Sequence, residues 1–124
     1  MTVSGDLPPL SLAELEDWVI EKGDAVIQRR SLYPEMVTPE EELVYCLWCV
    51  DYGMRNAGYV QPAIDIKSDV LEEGARLSSQ LGLRQSEAFF QLSPAAIERD
   101  YFERFEAISS EIEASYQAML ERHS

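Results

Sequence analysis

From Ile97 to Leu120 the apolar residues Ile97, Tyr101, Phe105, Ile108, Ile112, Tyr116, Met119 and Leu120 recur at steps of three or four. That spacing lines one face of an α-helix and fits no strand, whose side chains alternate at every second residue. Ser93 supplies an N-cap and Pro94 a first helical position. Unbroken to Arg122, such a helix is about 43 Å long at 1.5 Å per residue. Its stripe has to be covered, either by the other helices of the same chain or by a second copy in a homodimer.

The rest of the chain repeats the helical pattern. Ser11 opens "SLAE", a capping box in which the Ser11 hydroxyl and the Glu14 carboxylate can each serve a backbone amide of the first turn. A helix is expected from about Leu12 to Arg29, with Leu12, Leu15, Val19 and Val26 on its buried face. Glu14, Asp17, Glu21 and Asp24 form a row on the opposite face. "SLYPEMV" reads as a connector, in which Pro34 pushes Tyr33 toward extended backbone. Thr38, Pro39 and Glu41 mark a second start, and that helix is expected to reach about Arg55. Ser68 is placed as the cap of a helix ending near Gln80, Gly82 as its terminator, and "RQSEAFFQL" as a short amphipathic helix. No strand pattern appears. The expectation is an all-α fold: a single compact domain, residues 11–124, of five to six helices with a long C-terminal one, preceded by a flexible segment over residues 1–10.

A chain of 124 residues can bury about two thirds of its unfolded surface and needs no metal or disulfide to fold. No apolar run of membrane-spanning length occurs. "MTVSGDLPPL" has neither the basic region nor the apolar core of a signal peptide, so the cytoplasm is the expected compartment. The 23 acidic residues against 10 basic ones give a formal net charge of −13. That field argues against direct binding to nucleic acid or anionic lipid, both of which reward Lys and Arg, and permits a cationic partner.

Cys46 and Cys49 have the C-x-x-C spacing of redox and zinc motifs. A redox pair, however, sits at a helix N-terminus, where the dipole activates a thiol, whereas these two lie two to three turns inside the second helix. With Gly53 they form a narrow stripe of small residues on a helix that is apolar nearly all round, which reads as core. A zinc site would need two more ligands, and the one histidine is His123, next to last in the chain. No phosphate-binding loop, nucleophile elbow or calcium loop is present. Neither a catalytic residue nor a metal or cofactor site is expected. Glu40, Glu41 and Glu42 are read as complements to the helix dipole, and Asp65, Asp69 and Glu72 as a solvated helix face.

Between the second and third helices, Asn56 or Gly58 can take a left-handed conformation and end the helix, after which Tyr59 to Ile64 can begin a short helix folding back. The segment "NAGYVQ", Asn56 to Gln61, resembles the N-G-G-F-x-Q signature of the DNA-mimic protein family, acidic all-helical bacterial domains long catalogued as a domain of unknown function. "VLEEGARLSSQLG", from Val70 to Gly82, is similar to the L-E-x-I-G-A-like stretch that follows the signature in that family. Ala57 stands where the signature has its first Gly, Tyr59 where it has Phe, and Pro62-Ala63 where an aromatic pair is usual, the pattern of a distant member. The resemblance implies that Asn56, Gly58, Tyr59 and Gln61 are structural, and that the chain presents carboxylates in place of DNA phosphates to a basic DNA-binding protein, such as a transcription regulator or nucleoid protein.

The row Glu14, Asp17, Glu21, Asp24 is the expected partner-binding surface, because helix neighbours about 5 to 6 Å apart are on the scale of two steps of a strand rising about 3.4 Å per phosphate. An alternative is an immunity-type interaction protein that neutralises a basic toxin or enzyme by shape. A small enzyme with an acidic cleft ranks below both.

Overall fold

The computed structural model describes residues 9–123. Six α-helices follow in the order α1 (Leu12–Leu32), α2 (Pro39–Ala57), α3 (Gln61–Ile66), α4 (Val70–Gln80), α5 (Arg84–Phe90) and α6 (Pro94–Arg122), with a 3-10 turn, Pro34–Met36, between the first two. No strand occurs among the described residues. The chain is a compact all-α fold closed by its long C-terminal helix. The expected flexible N-terminal segment falls largely on residues 1–8, outside the described residues, while Leu10 packs on the core.

Helix α2 is the centre. It packs against α1, α3, α4 and α6, and α5 joins α4 to α6. Its sequence explains that position: Leu43, Val44, Cys46, Leu47, Cys49 and Val50 are all fully buried, so a helix that is apolar nearly all round finds neighbours on most of its sides. From α6, the stripe Ile97, Tyr101, Phe105, Ile108, Ile112, Tyr116 and Met119 is buried against it and its neighbours. This stripe is therefore satisfied largely within the chain. Leu120, expected on the same face, is 39 % exposed; α6 is still packed there, since Arg122 reaches Glu40, and the core-facing place is taken by Met119.

Local signals place three helix starts. Both capping boxes are complete, Ser11 with Glu14 and Thr38 with Glu41. Ser93 accepts from the Ala96 amide at 3.2 Å. Other expectations are corrected. Helix α1 continues to Leu32 and α2 to Ala57, each a few residues beyond the ends read from the sequence. Leu12 is 45 % exposed rather than buried; it precedes the point where α1 meets its neighbours, and Trp18 takes a core place instead. Ser68 does not cap α4, whose N-cap is Asp69 without a side-chain hydrogen bond.

The largest correction concerns Glu40, Glu41 and Glu42. Glu40 and Glu41 are buried, which dipole complementarity alone cannot account for. Each of the three takes a cation from elsewhere in the fold. Arg122 of α6 donates to Glu40 at 2.7 Å. Arg29 of α1 donates to Glu41 through Nε and to the Met36 carbonyl at 3.1 Å. Arg30 donates to both Glu42 oxygens at 2.9 and 3.2 Å, with Lys67 at 3.5 Å on the far side. The start of α2 is thereby tied to α1, α6 and the residue after α3.

Helices α1 and α2 are antiparallel: Glu16 lies 3.4 Å from Arg55, and farther along Arg30 stacks on Tyr45. Between these points Gly23 faces Trp48, so closely that a Cβ at position 23 would sit 2.1 Å from the indole Cδ1. Gly23 is required by this approach and not by a turn. Replacement Gly23→Ala is expected to lower stability by about 1–3 kcal/mol through overpacking, despite a helix-propensity gain of up to about 1 kcal/mol. Urea unfolding followed by circular dichroism measures it, and an unchanged or raised midpoint would show that the indole is not wedged there.

Candidate protein-binding surface

The carboxylates of Glu14, Asp17, Glu21 and Asp24 are all exposed. The first and last are ten residues apart along the helix, a rise of about 15 Å. Among the described residues no cation lies within 4.0 Å of any of the four. Three of them, Asp17, Glu21 and Asp24, also accept no hydrogen bond there. Glu14 is turned back, accepting the Ser11 amide at 2.8 Å. The only cation of that stretch, Lys22, sits on the inner side, 5.8 Å above the Tyr116 ring.

Of the cations elsewhere, all but the exposed Arg84 are committed. Arg29, Arg30, Lys67 and Arg122 serve the start of α2. Arg55 donates to Asp51 at 2.8 Å and lies over the rings of Phe102 and Phe105. Arg76 pairs with Glu73, and Arg99 and Arg104 with Asp100. With 23 acidic residues against 10 basic ones, these pairs leave a large excess of carboxylates, which carries the net charge of −13. The pairing shows in proton affinities. The hydrogen bond to Glu41 raises the Arg29 guanidinium, and Arg76 holds the Glu73 carboxyl below its ordinary value.

The turn after α2 depends on Gly58, which has φ +74° and donates to the Gly53 and Met54 carbonyls at 3.1 and 3.0 Å. Of the two candidates for the left-handed residue, the structure thus uses Gly58; Asn56 stays helical and donates to the Tyr52 carbonyl at 2.8 Å. Gln61 is the first residue of α3 and donates to Asp65 at 2.9 Å. Tyr59 is 63 % exposed and anchors nothing in the core. The anchor of the turn is Val60, fully buried, whose amide donates to Glu98 of α6 at 2.9 Å. The turn and the α1 row lie on different elements and share no hydrogen bond or ion pair among the described residues, so they are separate features.

The buried Asp51 accepts from the Tyr101 hydroxyl at 2.5 Å as well as from Arg55, which satisfies it from two helices. Burial pushes the Tyr101 phenol well above its ordinary value. A shallow, open cleft of about 300 Å³ lies between the connector and α4. It is lined by Val37, Pro39 and Leu77, with Glu42, Glu73 and Arg76 at its edge, and those charges are paired with one another or with neighbours. Among the described residues no group of three metal-ligating side chains converges, and no helix is long and apolar enough to cross a membrane.

What the sequence did not reveal is the pairing of α1 with α2: the ion pairs of Arg29 and Arg30, and an aromatic ladder of Tyr45, Trp48 and Tyr52 running beside α1. Trp48 is stacked between Tyr45, at 6.2 Å and 7° between planes, and Tyr52, at 5.5 Å and 17°. The spacing of three and four along α2 was a legible signal for shared face, but not for exposure. No protein-family model, no curated protein and no solved structure matches this chain.

Cys46 and Cys49 are both fully buried and unpaired. Burial raises both thiols, Cys49 to about 11 and Cys46 further, the opposite of activation. In the folded protein neither thiol is expected to react with an aromatic disulfide reagent at about pH 8, whereas both react once the chain is denatured. Rapid reaction of the folded protein, or stoichiometric zinc in purified samples, would contradict a packing role.

Proposed function

We propose that this chain is an acidic protein-binding domain that occupies the DNA-binding surface of a basic protein, such as a transcription regulator or nucleoid protein, by presenting carboxylates where DNA presents phosphates. One observation carries the reading: the α1 row is exposed and has no cation beside it, while every cation of the domain except Lys22 and Arg84 is held in an ion pair elsewhere. A surface built only for solubility would intersperse the two signs. Here a rigid helix presents one sign along about 15 Å, and the likeness of Asn56 to Gln61 to the DNA-mimic signature supports the same conclusion.

A second reading, immunity-type neutralisation of a basic toxin or enzyme, is favoured by one feature, the open end of the aromatic ladder, Trp48 and Tyr52, beside α1. In that case shape at the ladder, rather than phosphate spacing, selects the partner. Both readings share a cationic protein as partner, with no direct contact to nucleic acid or membrane and no catalytic step.

The shared part is tested by charge reversal. Asp17, Glu21 and Asp24 are changed to Lys together, while Glu14 is left in place because it caps α1. A partner captured from lysate at low salt and then purified is expected to bind this variant at least about tenfold more weakly, with the wild-type affinity falling steeply as salt rises. Stability should change by no more than about 0.5 kcal/mol, as for other exposed positions. Equal affinity of variant and wild type would remove the α1 row from the binding surface.

A further inference from the structure

The seam between α1 and α2 has two sides. On one side α6 packs, with Trp18 edge-on to Tyr116 at 5.8 Å. On the other side lie the aromatic ladder of α2 and Ile20 of α1. Because Glu16 is opposite Arg55 and Gly23 is opposite Trp48, Ile20 falls level with Asp51 and Tyr52. Ile20 is 49 % exposed and Tyr52 45 %, and Trp48 is partly exposed between them. Two large side chains and an indole are thus half open to water on one face of the seam.

The ladder shows what its planes accept. At its inner end the Arg30 guanidinium lies 4.0 Å from the centre of the Tyr45 ring. The order is then Tyr45, Trp48, Tyr52, with nearly parallel rings. At the outer end, among the described residues, no cation lies over Tyr52. Ile20 is three residues from Asp17 and four from Asp24, one helical step from each, and these carboxylates accept nothing among the described residues. An aromatic face open to stacking therefore adjoins unpaired negative charge. A guanidinium meets both demands, since its plane stacks on a ring while its N–H groups reach a carboxylate; an ammonium offers charge without the plane. A second copy of the chain would bring the same charge of −13 to the contact and is disfavoured by repulsion.

We propose that Ile20, Trp48 and Tyr52 form the apolar centre of a docking surface whose rim is the α1 carboxylate row, and that its occupant is an arginine-bearing segment of a cationic protein. The inference rests on the protein-binding reading above and adds to it a specific contact: arginine stacked on Tyr52, its charge met by Asp17 and Asp24. Affinity then has a part that salt does not screen, and arginine is preferred over lysine at equal charge.

The test uses two fluorescent amphipathic peptides of equal length and charge, one bearing arginines and the other lysines at the same positions, titrated with the full chain. The arginine peptide is expected to bind more tightly, and Tyr52→Ala to weaken it about three- to tenfold while affecting the lysine peptide less. Tyr52→Leu keeps apolar bulk and should lose the arginine preference as well. Ile20→Ser should weaken both peptides, and circular dichroism confirms that each variant is folded. If Asp17→Lys with Asp24→Lys weakens binding but the Tyr52 and Ile20 variants do not, the proposed centre is wrong and the acidic reading stands. If no variant alters affinity, or neither peptide binds at low salt, both fall. Sedimentation showing a dimer that Tyr52→Ala dissociates, or single-stranded DNA binding that it abolishes, would likewise overturn the proposal by giving the face a different occupant.

Discussion

Three consecutive carboxylates at the start of α2 hold the arrangement of the long helices. Glu41 caps its own helix by accepting the Thr38 amide at 2.9 Å and at the same time receives Arg29 from α1. Glu40 receives Arg122 from the far end of α6, 82 residues away in sequence. Glu42 receives Arg30 and faces Lys67. The carboxylates are largely buried while their arginines are a third to more than half exposed, so each pair contributes little net stability, but losing the arginine leaves a carboxylate shielded from water without a partner. Their effect here is on register. A slip of α1 or α6 along α2 would leave Glu40 or Glu41 buried without a cation, so only one packing satisfies all three.

That constraint shapes the outside of the molecule as well. Cations paired at the start of α2, at Asp51, at Glu73 and at Asp100 lie away from Asp17, Glu21 and Asp24; only Arg55 reaches α1, at Glu16. Fixing Arg29 and Arg30 toward α2 turns the opposite face of α1, with Asp17, Glu21 and Asp24, to solvent. The same antiparallel packing brings Gly23 against Trp48 and so sets the aromatic ladder beside the acidic row. Surface charge and exposed aromatic area are both consequences of one interhelical contact.

Much of the fold was legible because the signals are local. The boxes at Ser11 and Thr38, the Pro at the start of α6 and the Gly after α2 act within a few residues of themselves, and the stripe from Ile97 to Met119 reports burial through its period alone. Ser68 shows the limit, since a residue suited to capping goes unused when Asp69 occupies the position. Leu12 shows another: periodicity gives a face, not the length over which a neighbour covers it. The role of Glu40 to Glu42 was out of reach, because nothing local joins them to arginines 12 and 82 residues away. At the candidate surface, the α1 row could be read directly, whereas its aromatic border needed the approach of Gly23 to Trp48.

The central claim is that carboxylates of this domain take the place of phosphates on a DNA-binding protein, and competition tests it most directly. A DNA-binding partner of the domain is saturated with fluorescently labelled DNA, and this protein is titrated in while anisotropy is recorded. The account predicts that anisotropy falls to the value of free DNA, at protein concentrations that rise as salt is added. A full DNA signal persisting while this protein is bound to the same partner would contradict it, because the carboxylate surface would then be docked somewhere other than on the DNA-binding face.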